Sequence, residues 1–467
     1  MTGFRSAQLP AGLRQAGVPV ADERLTASRD PLRILLFLVT VVIVSRIQQH
    51  FSFIEPFRPV LLLALAAILC VIVRPRSIDV SNLLEKWPAK LVAALGLAAC
   101  ISVPFGIYLG GSARYILDTY SRILIYTLLL MAATRNPRDL YLFIWAYVIA
   151  CGILSWMSLF VFQLVQVSGN QSLRLVEMYM YDSNDAGLVL IVGLPLTALA
   201  FKVSRLPGKV VSAVILMGIG ASLARGGSRG AFVGLVVVGV AMFFTFAHIP
   251  LFKRVGLLGL LVATLAFAAP SGYWRQMGTI LRVTEDYNWV TLDGRKATTL
   301  RGLGYMLDHP VFGIGIDNFG KAEGTISRKA RDVPAGVGVK WMAPHNSFVQ
   351  VGAELGIPGL VLWSALAFGV IVGASRLRRR LPRSWLGGDP EQRFLYLTSH
   401  CLPLSMVGFV TTAVFLSFAY ESPLYILAAY MVGLYASVEC KCWTRSVPGP
   451  SRSPGRWRST LAAYHRF

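Results

Sequence analysis

Residues 210–248 read VVSAVILMGIGASLARGGSRGAFVGLVVVGVAMFFTFAH, two apolar runs joined by a short segment with two arginines and three glycines. A helix needs about 20 mainly apolar residues to cross the hydrocarbon layer of a bilayer, and a helix satisfies its own backbone hydrogen bonds there. Neither run shows the strict alternation of a barrel strand. The stretch therefore predicts two consecutive membrane-spanning helices.

The whole chain has the same character. Of its 467 residues 55% are hydrophobic and 15% are charged, and its mean hydropathy is +0.59. This composition excludes an ordinary soluble domain and predicts an all-α, polytopic membrane protein of about 12 transmembrane helices. The apolar windows place the spans at 33–48, 57–73, 89–110, 117–134, 140–166, 186–203, 210–224, 231–248, 255–270, 346–374, 395–418 and 424–440.

The basic residues of the short loops orient these spans, because lysine and arginine accumulate on the cytoplasmic side. With the N-terminus inside, the inner segments hold 28 such residues and the short outer loops hold 6. The asymmetry predicts that both termini are cytoplasmic. It also supports the second span, the least secure one, in which Pro59 follows Arg58.

The expected organisation has five parts. A tail at 1–32 precedes nine spans within 33–270, a large outer loop with short helices at 271–344, three spans within 345–440 and a basic tail at 441–467. The loop carries ten basic residues, although the positive-inside rule does not favour them there. An anionic ligand is one explanation. The alternative is that a long loop escapes the rule and its charges are merely solvated.

Charge and cysteine content exclude several other classes. The net charge of +22 does not indicate a nucleic-acid partner, because the cytoplasmic flanks account for most of it. Six cysteines without a CxxC pair or a Cys/His cluster predict neither a disulfide framework nor a structural zinc. No motif indicates nucleotide use, so we expect no metal, no cofactor and no dependence on ATP.

Three arginines near span ends are candidate anion ligands. Arg225 and Arg229 lie between the seventh and eighth spans among glycines that let backbone approach an anion. The guanidinium group suits forked contacts with phosphate, whereas snorkelling towards the interface is the alternative role. Arg122, near the outer end of the fourth span, could face the same site.

The loop contains a second arginine pair and a glycine turn. Arg295 and Arg301 fall in a stretch predicted to be helical, which Pro310 ends. The following Gly313-Ile314-Gly315 is no nucleotide loop, since no strand precedes it and no Lys-Ser/Thr follows. We predict instead a tight turn that returns the chain to the membrane.

His345 opens the tenth span, in the sequence Pro344-His345-Asn346-Ser347. Histidine titrates close to neutral pH, so at a membrane boundary beside arginines it is a candidate general base for a hydroxyl. The alternative is a purely structural histidine.

Together these motifs resemble the bacterial O-antigen ligase and O-antigen polymerase superfamily. The matching elements are Ser228-Arg229-Gly230, Arg295 before Asp308-His309-Pro310, Gly313-Ile314-Gly315 with Asn318-Phe319, and His345-Asn346-Ser347-Phe348. Asp182-Ser183-Asn184-Asp185 is similar to the family's Asp-Pro-Asn-Asp element, with Ser183 replacing proline. The family often has tryptophan four residues after the loop arginine, where this chain has Thr299.

The resemblance implies an inverting, metal-independent glycosyltransferase on the periplasmic side of the inner membrane. Its donor would be a glycan on undecaprenyl diphosphate and its acceptor lipid A-core. Arg229 and Arg295 would hold the diphosphate while His345 activates the acceptor hydroxyl. Arg225 competes with Arg229 for this role, and Arg301 with Arg295. Arg225, Arg301, Arg122 and Asn346 complete the expected substrate-binding set.

Three other functions stay open. A polymerase that joins repeat units has overlapping motifs, and so has a protein O-oligosaccharyltransferase or an exopolysaccharide relative. A transporter for a lipid-linked glycan is the alternative from another class. A transporter predicts charged residues in the middle of several spans, whereas most charges here lie near span ends.

Overall fold

The computed structural model describes residues 28–51, 53–166, 173–176, 182–282, 294–332 and 341–445. Within these residues nine helices are long and apolar enough to cross a membrane, and three more apolar helices have 15 to 17 residues. The twelve are α1 Pro31–Ser45, α2 Pro59–Val73, α3 Trp87–Phe105, α4 Leu109–Ala133, α5 Pro137–Phe160, α6 Ser183–Val203, α7 Leu206–Gly226, α8 Arg229–Thr245, α9 Leu251–Ala268, α10 Ser347–Arg380, α11 Pro390–Ala413 and α12 Ser422–Arg445.

The chain is thus a polytopic membrane protein, and apart from one short hairpin the regular structure of its described residues is helical. Each predicted span overlaps one of the twelve helices, but α1, α2 and α8 are short, so length establishes nine spans and not twelve. Short helices connect them, including those predicted for the loop: Ile47–His50, Glu55–Phe57, Pro75–Ser77, Ser81–Leu84, Tyr273–Gly278, Thr279–Leu281, Arg295–Asp308, Phe319–Thr325, Arg328–Arg331 and Arg383–Gly387.

One small hairpin departs from the all-α expectation. The fifth span was predicted to continue to residue 166, but α5 ends at Phe160. Strand β1 (Gln163–Gln166) then pairs antiparallel with β2 (Leu173–Val176). The apolar residues of β1 extend the hydropathy of α5, so a window that measures hydropathy does not separate the strand from the helix.

Small residues bring the central helices close together. A Cβ atom built on Gly187 of α6 would lie 2.5 Å from the Cβ of Ala231 in α8. One on Gly234 of α8 would lie 2.5 Å from Thr412 Cγ2 in α11. Such close approach is how membrane helices gain packing energy, because lipid supplies no hydrophobic driving force between them. By contrast, 6% of the most apolar window of α9 is buried, so α9 lies at the periphery.

The bundle has two distinct ends. The starts of α1, α5 and α11 lie together, with Arg33 Nε 3.5 Å from Asp139 Oδ1 and Arg138 Nε 3.5 Å from Glu391 Oε1. His345 lies at the other end, with the starts of α6, α8 and α10, and we call this the His345 end.

Candidate active site

The start of α8 is tied to the start of α6. Ser228 is the N-cap of α8 and accepts a hydrogen bond from Ala231 N at 3.2 Å. The same hydroxyl donates to Asn184 Oδ1 at 2.7 Å, and both side chains are buried. Gly227, with φ of +59°, makes the left-handed turn that lets α7 end and α8 begin without a loop. Arg229 is therefore fixed as the first residue of α8.

Asp182 organises the start of α6. Its Oδ1 accepts from the backbone N–H groups of Asn184 at 2.7 Å and Asp185 at 2.8 Å, and its Oδ2 accepts from Asn184 Nδ2 at 2.9 Å. A continuous polar chain thus runs from Asp182 through Asn184 to Ser228. The sequence indicated this element by resemblance but gave no role for Asp182.

The side chain of Arg229 turns towards the loop that follows α9. Its Nη1 donates to Thr279 Oγ1 at 3.0 Å, and Gln276 Nε2 of the same segment donates to Gly227 O at 2.9 Å. Arg225 lies one turn earlier in α7, and its Nε is buried with no hydrogen-bond partner within the described part of the chain. Arg225 and Arg229 are both half-buried. The connection between α7 and α8 therefore presents two guanidinium groups at the His345 end.

His345 is held by the segment between α11 and α12. Its backbone N–H donates to Ser417 Oγ at 2.8 Å, and its φ of +49° is strained for a side chain of this size. Ser347 Oγ donates to Leu416 O at 2.7 Å. A Cβ atom on Gly230 of α8 would lie 2.9 Å from Phe415 Cβ. The same segment therefore contacts both the start of α8 and His345.

Arg295 lies level with His345. Helix Arg295–Asp308 packs along α10: a Cβ atom on Gly302 would lie 2.4 Å from Val349 Cγ1, and one on Gly352 would lie 2.6 Å from Met306 Sδ. Residue numbers rise in the same direction in both contacts, so the two helices run parallel. Their first residues consequently lie at the same end.

The charges around His345 shape its protonation. Burial, followed by the positive charge of Arg295, lowers the pKa of His345 below its ordinary value of 6.5, while Asp182 acts in the opposite direction. The imidazole is consequently neutral at pH 7 and is able to accept a proton. Arg295, Asp182 and His345, which belong to three separate sequence motifs, thus interact electrostatically at one place.

A break in α10 receives the glycine turn. Pro358 has no N–H to offer to the carbonyl of Glu354, one helical turn earlier. Instead Gly315 N donates to Glu354 O at 3.0 Å, and Ile314 N donates to Ala353 O at 2.8 Å. The turn therefore replaces the hydrogen bonds that the helix lacks.

Two left-handed glycines make this interlock possible. Gly313 and Gly356 have φ of +68° and +69°. A Cβ atom would lie 2.3 Å from the carbonyl carbon of Glu354 at the first and 2.7 Å from Pro310 O at the second. Ile357 N donates to Pro310 O at 2.8 Å. The predicted helix stop before Pro310 and the tight turn after it are confirmed.

Two buried carboxylates fix the loop helices. Glu354 Oε1 accepts from Phe319 N at 3.1 Å, at the start of helix Phe319–Thr325. Glu323 of that helix accepts from Arg301 Nε at 2.8 and 2.9 Å and from Tyr305 Oη at 2.9 Å. Arg301 is thus engaged in an ion pair within the loop, and Glu323 is only 2% exposed. The charge of Arg301 is therefore used within the loop, whereas that of Arg295 acts on His345.

Two further predicted residues have other surroundings. Asn346 is the N-cap of α10, with Oδ1 accepting from Phe348 N at 3.0 Å and Val349 N at 3.3 Å. Arg122 lies on the exposed face of α4, where the structure does not bring it into contact with His345 or Arg229. Within the described ranges, no group of three or more His, Cys, Asp or Glu side chains is arranged to hold a metal ion.

The fold and the site define a polytopic membrane protein with a cationic site beside a histidine at one end of its bundle. Residues 212–364 match the family model described as O-antigen ligase, and the chain carries an O-antigen ligase family domain over these residues. The resemblance seen in the motifs is thereby confirmed. The match includes Arg225, Arg229, Arg295 and His345 but neither Arg122 nor Asp182. None of the curated proteins compared with the chain matches it.

This family covers O-antigen ligases, polymerases and related glycan transfer. Proteins of this family transfer glycans, and their substrates are lipid-linked glycans in the membrane.

Proposed function

We propose that the chain is a ligase-type glycosyltransferase that moves a glycan from undecaprenyl diphosphate to a hydroxyl of lipid A-core. The reaction takes place at the His345 end, on the periplasmic side of the bacterial inner membrane, with both termini in the cytoplasm. The observation that carries the proposal is the convergence of helix starts on His345. Arg229 and Arg295 are the first residues of their helices, and His345 precedes α10 by two residues.

Helix starts favour anions for two reasons. Their first N–H groups have no partner within the helix, and the helix dipole places partial positive charge there. Arginine side chains at the same positions add full charges and forked donors. A diphosphate leaving group is negatively charged, and its negative charge increases as the bond to the sugar breaks. Such an arrangement of helix starts and arginines stabilises this charge.

The reaction is a single displacement. The Nε2 or Nδ1 lone pair of neutral His345 accepts the proton of the acceptor hydroxyl, and the freed oxygen attacks the anomeric carbon of the donor sugar. The bond from that carbon to the diphosphate oxygen breaks on the opposite side, so the configuration is inverted. Undecaprenyl diphosphate leaves with its new charge held by Arg229 and Arg295. No step requires a nucleotide or a divalent metal.

The placement of buried charges favours an enzyme over a transporter. Among the described residues, the buried charged side chains are Arg33, Lys86, Asp139, Glu323 and Glu354. Arg33, Lys86 and Asp139 lie at the starts of membrane helices and Glu323 lies in the loop. Glu354 lies two turns into α10, where it accepts a hydrogen bond from Phe319 N of the loop. A transporter that alternates access needs charged groups near the middle of its spans, lining a passage.

A reconstituted transfer assay tests the proposal. Purified protein receives lipid-linked polysaccharide with lipid A-core supplied or omitted, and EDTA is added in a parallel reaction. Transfer that requires acceptor and survives EDTA supports the ligase, whereas glycan lengthening without acceptor indicates a polymerase. We expect His345→Ala to reduce transfer on the order of 10²-fold to 10⁴-fold.

His309→Ala is the matched control, because this histidine is half-buried in the same loop but lies at the opposite end of helix Arg295–Asp308. It should retain nearly full transfer. Equal activity of His345→Ala and the native chain, at equal folded amounts, would remove His345 from the mechanism.

A further inference from the structure

We propose that an anionic phospholipid binds at the end of the bundle opposite His345, with its phosphate in a cavity between the starts of α1 and α5 and the end of α2. The cavity has a volume of about 690 Å³. The charged residues that line it are Arg33, Arg74, Arg76, Arg135, Asp30 and Asp139. Neither the glycan-transfer proposal nor the family match assigns a function to it.

The cavity has a fixed frame. Arg135 Nη1 donates to Arg76 O at 2.9 Å, and Arg135 N donates to Asp139 Oδ2 at 3.1 Å. Asp79 N, shortly after the end of α2, donates to Ala132 O at 2.8 Å. These bonds join the segment after α2 to the turn between α4 and α5. The guanidinium group of Arg135 and the backbone that carries Arg76 are therefore held in place before a ligand arrives, which reduces the entropy lost on binding.

The charge of the cavity is positive and partly uncompensated. Both lining carboxylates contact Arg33: Asp30 Oδ1 lies 3.0 Å from its Nη1 and Asp139 Oδ1 lies 3.5 Å from its Nε. No carboxylate within the described ranges forms an ion pair with Arg74, Arg76 or Arg135. Four arginines and two aspartates leave a formal charge of +2 on the lining.

A buried hydroxyl adds a neutral donor to this charge. Ser77 lines the same cavity, and its Oγ is buried without a hydrogen-bond partner in the part of the chain that the structure describes. Guanidinium groups and a free hydroxyl together match the oxygen atoms of a phosphate.

The apolar wall indicates that the phosphate belongs to a lipid. Val73 lines the cavity and is 68% exposed. The adjacent Ile72 is 68% exposed, and Leu69, one turn earlier in α2, is 60% exposed. In α2 only Ala67 is fully buried, so this helix offers an apolar surface that leads directly to the arginines. Acyl chains fit along that surface while the headgroup occupies the cavity.

Native mass spectrometry of the full-length protein in detergent tests this site. The protein is titrated with phosphatidylglycerol, with phosphatidylcholine and with inorganic phosphate. We expect phosphatidylglycerol to bind most tightly. We expect the double variant Arg74→Gln, Arg76→Gln to bind it at least about tenfold more weakly, since it removes two of the four arginines whose positive charge attracts an anionic lipid.

Arg379→Gln, Arg383→Gln is the matched control. Both arginines are exposed near the end of α10, which is connected to α11 at the same end of the bundle, and neither lines the cavity. This variant should bind phosphatidylglycerol as the native chain does. Equal loss in the two double variants, or equal binding of phosphatidylcholine by the native chain, would overturn a specific site. Tight binding of inorganic phosphate without lipid preference would overturn the assignment to a phospholipid.

Discussion

Helix Arg295–Asp308 carries two arginines whose surroundings differ. Arg295, at its first residue, acts on the half-buried His345, whereas Arg301 forms an ion pair with Glu323. Six residues of α-helix correspond to a rotation of about 600°, so the two side chains leave the helix on different faces. The comparison teaches that arginines of one basic helix differ in role: the charge of Arg295 acts on His345, whereas that of Arg301 is neutralised within the loop itself.

The largest expected difference between them is catalytic. Arg295→Ala should reduce transfer on the order of 10²-fold or more, because it removes a charge that stabilises the leaving group. Arg301→Ala, assayed at equal folded amounts, should retain most of the activity. Initial rates over a range of donor concentrations measure both. A larger loss in Arg301→Ala than in Arg295→Ala would reverse the assignment and make Arg301 the phosphate ligand.

An effect of similar size is expected on the stability of the loop, where replacing Arg301 should cost more than replacing Arg295. Arg301→Met leaves the buried Glu323 without its cation and should destabilise the loop by about 2–4 kcal/mol. Adding Glu323→Gln to this variant should recover part of the loss, because the isolated charge is then removed. Hydrogen exchange of helix Phe319–Thr325 reports the change. Unaltered exchange in Arg301→Met would show that the pair contributes little to loop stability.

The glycine turn follows the end of helix Arg295–Asp308, and a substitution there should change stability by a comparable or smaller amount. Gly313→Ala places a methyl group against the carbonyl of Glu354 at a left-handed φ, and we expect a loss of about 1–3 kcal/mol. Gly304→Ala is the control, since open space surrounds this helical glycine, and it should stabilise the protein by roughly 0.5–1 kcal/mol. Thermal unfolding in detergent compares the two. Equal stability of both variants would contradict the interlock.

The smallest expected effect is a shift in the pH profile. In the proposed mechanism neutral His345 is the active form, so kcat/KM should fall as pH drops through its lowered pKa. Arg295→Gln removes a charge that lowers this pKa and should move the acidic limb to higher pH. Asp182→Asn removes a charge that raises it and should move the limb to lower pH. Shifts in the same direction would show that the two charges do not act on His345.

The membrane helices were predictable because hydropathy decides them directly. Their ends were not, since capping and helix breaks depend on neighbours distant in sequence. The predicted gap between the third and fourth spans, for example, is replaced by a connection of three residues, and α4 begins at Leu109. The tenth span was predicted to end at residue 374, yet α10 continues to Arg380 into a basic stretch.

The sequence predicted which residues are candidates for the site better than it predicted which residues contact them. Motif order indicated Arg229, Arg295 and His345 as candidate site residues, but the choice between Arg295 and Arg301 depends on Glu323, whose position no local pattern reveals. The segment that holds His345 was missed altogether, because Ser417 and Phe415 belong to no motif. Backbone-to-hydroxyl contacts of this kind leave no periodic signal in a sequence.

The interlock between α10 and the glycine turn limits how this protein can be recombined with relatives. Carbonyls at 353–354 and N–H groups at 314–315 complete each other's hydrogen bonding, so neither segment is self-sufficient. A chimera that exchanges the loop should therefore carry residues 308–319 and 353–358 from the same parent. A crossover point between those two segments would combine a glycine turn from one parent with a break in α10 from the other, although the two form one structural unit.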